Sequence, residues 1–231
     1  MKEKRAKRKN RKIVHFILLL VIVSLTACAF TVYSAAAGKI CITSAKRPLN
    51  QYDGTIETVT SSNDSDGDGI DDQTDLLLSA LEYVQTKPKY RSAYYGTGYP
   101  DDGYGVCTDV IAFAFQGAGM DLMELVHEDI INNPDGYDSD VGDKNIDFRR
   151  VRNLRVYLNH TALVLTADLN DISQWQGGDI VIFKDHIGIV SDRRNEKGIP
   201  YIIHHGSPMQ WNYEEDILGK RNDLTGHYRV Y

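Results

Sequence analysis

Hydrophobic and polar positions divide the chain into three stretches. From residue 13 to 37 nearly every position is apolar, and His15 is the one titratable side chain apart from Cys28 and Tyr33. A run of about 20 such residues spans a bilayer as a helix. Residues 42–63 are polar and show no sustained period, which predicts a juxtamembrane linker. Beyond residue 72 the pattern becomes periodic. Leu77, Leu81 and Val84 fall at i, i+4 and i+7 and predict a helix over 72–84. A glycine-bearing loop over 99–105 runs into Gly105-Val106-Cys107-Thr108-Asp109, then into an apolar run over 110–115 with Gly117 and Gly119 as stops. That predicts a short buried helix starting at Cys107. A further helix over 121–132 places Leu122, Leu125 and Val126 on one face, a loop with Asn-Pro-Asp-Gly turn chemistry covers 132–142, and another helix covers 151–159.

The second half reads as strands. Ile180-Val181-Ile182-Phe183 and Ile187-Gly188-Ile189-Val190 flank the polar pair Lys184-Asp185 as an antiparallel hairpin, with His186 opening its second arm. A third strand over 200–205 follows a turn at 195–198 and ends in His204-His205; a last strand covers 226–230. Helices first and strands afterwards predict an α+β domain with its helices on one side of an antiparallel sheet.

This order places chemistry at element ends. A thiol at a helix start meets unpaired N–H groups and the positive end of the dipole, which favour thiolate. A lone buried cysteine is more often an inert small apolar residue. A histidine at a strand start, with a further polar group to orient it, supplies what thiol catalysis needs: a base and a fixed tautomer. Successive strand residues face opposite sides, so His204 and His205 cannot both point at His186.

The strings GYGVCTDVIAFAFQGAGMDL, DKNIDFRRVRNL, WQGGDIVIFKDHIGIVSD, YIIHH and TGHYRVY resemble, in this order, the bacterial domain of unknown function numbered 1287, over about residues 72–231. More remotely, the GDIV, HIGIV and IH spacing is similar to NlpC-type cell-wall cysteine peptidases of the papain-like clan. The resemblance implies a papain-like fold and a thiol hydrolase with Cys107 as nucleophile, His186 as base and His204 as the orienting residue. It implies a cell-wall peptide or another amide outside the membrane as substrate. Phe148 and His205 depart from the common pattern, which carries histidine and asparagine there. Transfer of the acyl group to an amine would use the same residues.

Charge sharpens the picture. Residues 2–12 hold eight Lys or Arg against one Glu, and the rest of the chain holds 18 basic against 31 acidic residues. The acidic domain repels phosphate, which argues against nucleic acid as partner. The basic flank predicts a cytoplasmic N-terminus with the domain outside the membrane. Three readings of the apolar run stand side by side: an anchor, a signal segment cut after Ala35-Ala36-Ala37, and a lipoprotein box with Cys28 acylated. Cys107 is the lone cysteine of the domain, so an internal bridge would need Cys41.

Residues 64–75 alternate oxygen-bearing side chains: Asp64, Asp66, Asp68, Asp72 and Asp75 at positions 1, 3, 5, 9 and 12, with Gly69 at position 6 and the Ile70 carbonyl at 7. This matches a calcium loop, although Asp75 replaces the usual glutamate and the apolar residue is one position early. A structural calcium is the expectation, against a solvated acidic linker that caps the next helix. A calcium-stabilised binding or scaffold domain is therefore the alternative to the hydrolase. Residues 143–154 are dense in charge; Arg149 and Arg150 are candidates for binding a substrate carboxylate, or for an internal ion-pair network. His127, Glu128 and Asp129 are consecutive on a helix and point apart. Trp175 and Asp179 read as packing and turn residues near the site, His160 as a loop residue, and His227 as a neighbour that nothing requires.

Overall fold

The computed structural model describes residues 2–37 and 40–230, with side chains from Lys12 onward. Contacts divide the chain into two units, residues 1–40 and 41–231. The first unit is one helix, α1 (Lys2–Ala36). Its segment Lys12–Ala36 contains an 18-residue window with a mean hydropathy of 2.7 and is long and apolar enough to cross a membrane. It is compatible with an anchor or a signal segment. The apolar run expected to end at residue 37 borders residues 38 and 39, which lie outside the described residues.

The second unit is a mixed α+β domain. Its helices are α2 (Asp72–Gln85), α3 (Cys107–Gly117), α4 (Leu122–Asn132), the single turn α5 (Lys144–Asp147) and α6 (Val151–Thr161). Two-residue strands β1 (Lys89–Tyr90) and β2 (Tyr104–Gly105) pair in parallel just ahead of α3. The main sheet comprises β3 (Leu163–Val164), β4 (Ile180–Phe183), β5 (Ile187–Arg194), β6 (Pro200–Ile203), β7 (Glu214–Glu215) and β8 (Leu224–Arg229). It is antiparallel throughout, in the order β3-β8-β4-β5-β6-β7.

Alternation along the strands builds two cores. Ile180, Ile182, Ile187, Ile189 and Ile203 pack with Leu76 and Ala80 of α2, Ile111 and Phe115 of α3, and Leu122 and Val126 of α4. Val181, Phe183, Val190 and Ile202 point the other way, into a smaller cluster with Trp175 and Leu218. Both faces of β4 and β6 are therefore covered, which is why those strands read as unbroken apolar runs.

The helices over 72–84, 107–117 and 121–132 form where periodicity placed them. Asp71 and Asp121 cap the first and third by accepting from the N–H groups of Thr74 and Met123. The stretch expected as a juxtamembrane linker bonds to the domain at its start. The Ser44 N–H donates to the Trp211 carbonyl at 2.7 Å, and the Tyr213 N–H to that of Ser44 at 3.0 Å. Arg47 adds a two-pronged contact to Glu214, both arms at 2.9 Å. Main-chain pairing leaves no hydrophobic period, so it was invisible in the sequence.

Candidate functional site

The α3 helix starts at Cys107 because two buried side chains fix its first turn. Asp109, at the third helical position, reaches back to accept from the Val106 N–H at 2.8 Å. Arg149 grips the same carboxylate with Nε to Oδ1 at 2.6 Å and Nη2 to Oδ2 at 2.9 Å. Its third arm donates to the Ala93 carbonyl at 2.6 Å, and Thr108 Oγ donates to the Arg149 carbonyl at 3.2 Å. The two ion-pair side chains are 2% and 0% exposed. Arg150 turns onto Asp147 at 3.2 Å and onto the Asp140 carbonyl at 2.9 Å. Arg149 thus uses its three donor arms inside the chain, as the internal-network alternative expected, and Arg150 joins that network through Nη1 while staying partly exposed.

The Cys107 thiol lies against the N–H groups of Ile187 and Thr108. Burial nevertheless pushes it up to about 11; those N–H groups pull the other way, and the Asp109 charge adds to the rise. The thiolate-favouring effect expected of a helix start is present and outweighed by desolvation.

His186 follows a tight turn closed by the Phe183 N–H on its carbonyl at 2.8 Å. Gly188, on the adjacent strand, lets β6 come close: a Cβ there would lie 2.9 Å from the Ile203 carbonyl oxygen. That approach sets His204 beside His186, with His186 Nε2 and His204 Nδ1 2.9 Å apart. His204 Nε2 in turn lies 3.4 Å from Glu215 Oε2. Gln210 Nε2 sits 3.3 Å from the same ring nitrogen, but its N–H groups have the carbonyls of His204 and Asn212 at 3.0 and 2.6 Å. The network then assigns the protons. Glu215 accepts from His204 Nε2–H, His204 Nδ1 accepts from His186 Nε2–H, and His186 Nδ1 keeps its lone pair. Burial first, then His204 and Arg221, hold His186 down at about 3. The His204 hydrogen bond and charge, with backbone N–H groups, keep Glu215 below the usual carboxylate range against its burial.

His204 is therefore the partner of His186, as the sequence led one to expect. His205 faces away, edge-on to Tyr90 and Tyr213 at 5.2 Å each, and is buried. The start of α3 packs against the start of β5, so that the Ile187 backbone, next to His186, bears on the Cys107 thiol. Among the described residues Cys107 hydrogen-bonds no side chain. Two surface grooves, one reaching Glu215 and one lined by Tyr83, Tyr104 and Phe113, contain neither Cys107 nor His186. Sequence reading missed Glu215 and Gln210, which carry no motif and are recruited by the β6–β7 return.

Asp179 lies at the opposite end of β4 and is a structural hub, so it is not near the site. It accepts from Gln73 at 2.9 Å, the Gln176 N–H at 2.8 Å and Arg229 at 2.7 and 2.8 Å, and faces His227 at 2.9 Å. His227 stacks on Trp175 at 3.8 Å in this second cluster, away from Cys107. Asp129 bonds Asn133 and His160, both at 2.8 Å, and does not join His127 or Glu128. Among the described residues the acidic group able to hold a metal is Asp64, Asp66 and Asp68.

An α+β domain with a cysteine at a helix start and paired histidines at a strand end matches, over residues 77–230, the model of a domain of unknown function, DUF1287. The chain belongs to that family. It is similar to the uncharacterized protein YijF of Escherichia coli strain K12, 36% identical over 178 residues, which is 70% of this chain and 84% of that relative. No solved structure matches.

Proposed function

We propose that the domain is a papain-like thiol hydrolase acting on an amide outside the membrane, with a cell-wall peptide as its substrate class. The observation that carries this reading is the Glu215–His204–His186 relay, which leaves His186 Nδ1 as a free base at the sheet end where the thiol sits. The thiol and the imidazole both rest neutral, as burial dictates. In the reaction His186 Nδ1 takes the thiol proton as sulfur bonds to the carbonyl carbon, then returns it to the departing amine. Water attacks the thioester and regenerates the thiol. Backbone N–H groups at the helix start, that of Cys107 included, receive the oxyanion. The likeness of the GDIV, HIGIV and IH order to NlpC-type peptidases supports the same assignment. Lys12–Ala36 would hold the domain at the outer face of the cytoplasmic membrane.

Incubating the full chain with purified peptidoglycan and reading the products by mass spectrometry tests this. Cys107→Ala is expected to abolish turnover while the melting temperature stays within a few degrees; cleavage at the wild-type rate would end the hydrolase reading. His204→Ala, which removes the partner of His186 but not the nucleophile, is expected to lower turnover on the order of 10²-fold.

A second reading, a binding or scaffold domain on the same frame, draws on the half-buried thiol, which is bonded to no side chain among the described residues. The two readings part in their pH profiles. Alkylation of the resting thiol by iodoacetamide should rise about tenfold per pH unit from 7 to 10, because the thiolate fraction grows until the pH reaches the raised thiol value. Substrate turnover should instead be flat from about pH 5 to about pH 10, because His186, held down at about 3, is an acceptor over that whole range. Absence of any cleaved peptide, together with alkylation unchanged in His186→Ala, would favour the scaffold.

A further inference from the structure

We propose that residues 64–75 bind one calcium ion, held by the carboxylates of Asp64, Asp66 and Asp68 and closed by Asp75 from the first turn of α2. The side-chain oxygens of Asp64, Asp66 and Asp68 lie within 4.8 Å of one another. Gly69 makes the sharp turn between them and the helix at φ +94°, in the left-handed region that glycine adopts without strain.

An independent observation comes from Asp75. It is 5% exposed, and its Oδ2 is buried with no hydrogen-bond partner. The charges that bear on this carboxyl are those of Asp68, Asp66, Asp72 and Asp64. No Lys, Arg or His among the described residues forms an ion pair with any of these five carboxylates. A buried oxygen without a partner is unfavourable, more so when charged, and a cation at the focus of the loop would remove that penalty.

The remaining positions fit the same geometry. Asp72 accepts from the Ser65 N–H and hydroxyl, each at 2.7 Å, so it would serve the ion through a water, as the ninth position of such loops often does. The Ile70 carbonyl occupies the position that contributes main-chain oxygen. Carboxylates on a flexible loop suit calcium, whereas magnesium demands octahedral order and keeps its waters. The loop precedes the stretch matched to the family, so this site is not one that the family match assigns. It also bears on α3: a Cβ on Gly119, just after that helix, would lie 2.7 Å from the Asp66 Cβ. Binding would tie the start of α2 to the end of the Cys107 helix.

The test is calorimetry and thermal melting of the full chain in detergent, stripped with EDTA and titrated with calcium chloride, with magnesium chloride in parallel. One calcium per chain is expected. The melting temperature should rise about 5–10 °C at a hundredfold excess over Kd, and far less with magnesium. Asp66→Asn and Asp75→Asn should lose that response, and Asp75→Asn should melt higher than wild type in EDTA because it removes a repelled charge. No binding heat and no shift, an equal shift with magnesium, or an undiminished calcium shift in both variants would each overturn the proposal. Should either variant fail to fold, the stoichiometry of the wild-type chain still decides.

Discussion

Replacing Arg149 with alanine should destabilise the domain by about 3–5 kcal/mol, a fall in melting temperature on the order of 10 °C, read by circular dichroism. The reason lies in what is left behind. Asp109 is fully buried, and its two oxygens take Arg149 Nε and Nη2; only the Val106 N–H would remain. A carboxylate stranded there costs far more than the intact pair contributes. Lysine at 149 should not rescue, because a single ammonium cannot serve both Asp109 oxygens and the Ala93 carbonyl in the fixed fork that arginine presents. The joint replacement Arg149→Met with Asp109→Leu should recover part of the loss, the part due to the unpaired charge. A loss under about 1 kcal/mol for Arg149→Ala would show that water reaches Asp109 and that the pair behaves like a surface one.

Asp179→Ala should cost a similar amount, again about 3–5 kcal/mol, for a network on the other end of the sheet. Four groups lose their acceptor at once: the Gln73 amide, the Gln176 N–H, His227 and the Arg229 guanidinium. The Arg229–Gln174 carbonyl bond at 2.9 Å and the His227 stack on Trp175 would survive, so the fold should persist at low temperature. Whatever chemistry Cys107 performs should be unchanged per folded molecule, since Asp179 and His186 lie at opposite ends of the β4–β5 hairpin. A proportionate loss of activity and stability-corrected turnover would place Asp179 in the site after all.

The two replacements separate roles that the sequence runs together. GDIV and FRRVRN look like signatures, and their polar residues invite a catalytic or substrate-binding reading. In the fold, Asp179 and Arg149 hold elements in place and touch neither His186 nor a groove. The buried Arg149–Asp109 ion pair sits directly behind the first turn of α3, where it fixes the backbone that presents Cys107.

The sequence by itself determined the elements that bury a continuous or periodic apolar face. The helices at 72, 107 and 121 start and stop where caps, apolar spacing and glycines put them, and the hairpin around Lys184-Asp185 follows from two β-branched runs. It also determined that only one of His204 and His205 can meet His186, since a strand sends neighbours to opposite sides. Tertiary structure decided everything that depends on distant backbone or on desolvation. Strands of two residues, such as β1, β3 and β7, form because a partner lies alongside, and no local period announces them. Glu215 joins the histidine pair only because β7 returns beside β6. The thiol ends well above its ordinary value because packing removes water from it, a cost that no spacing of residues records and that the favourable helix start does not offset.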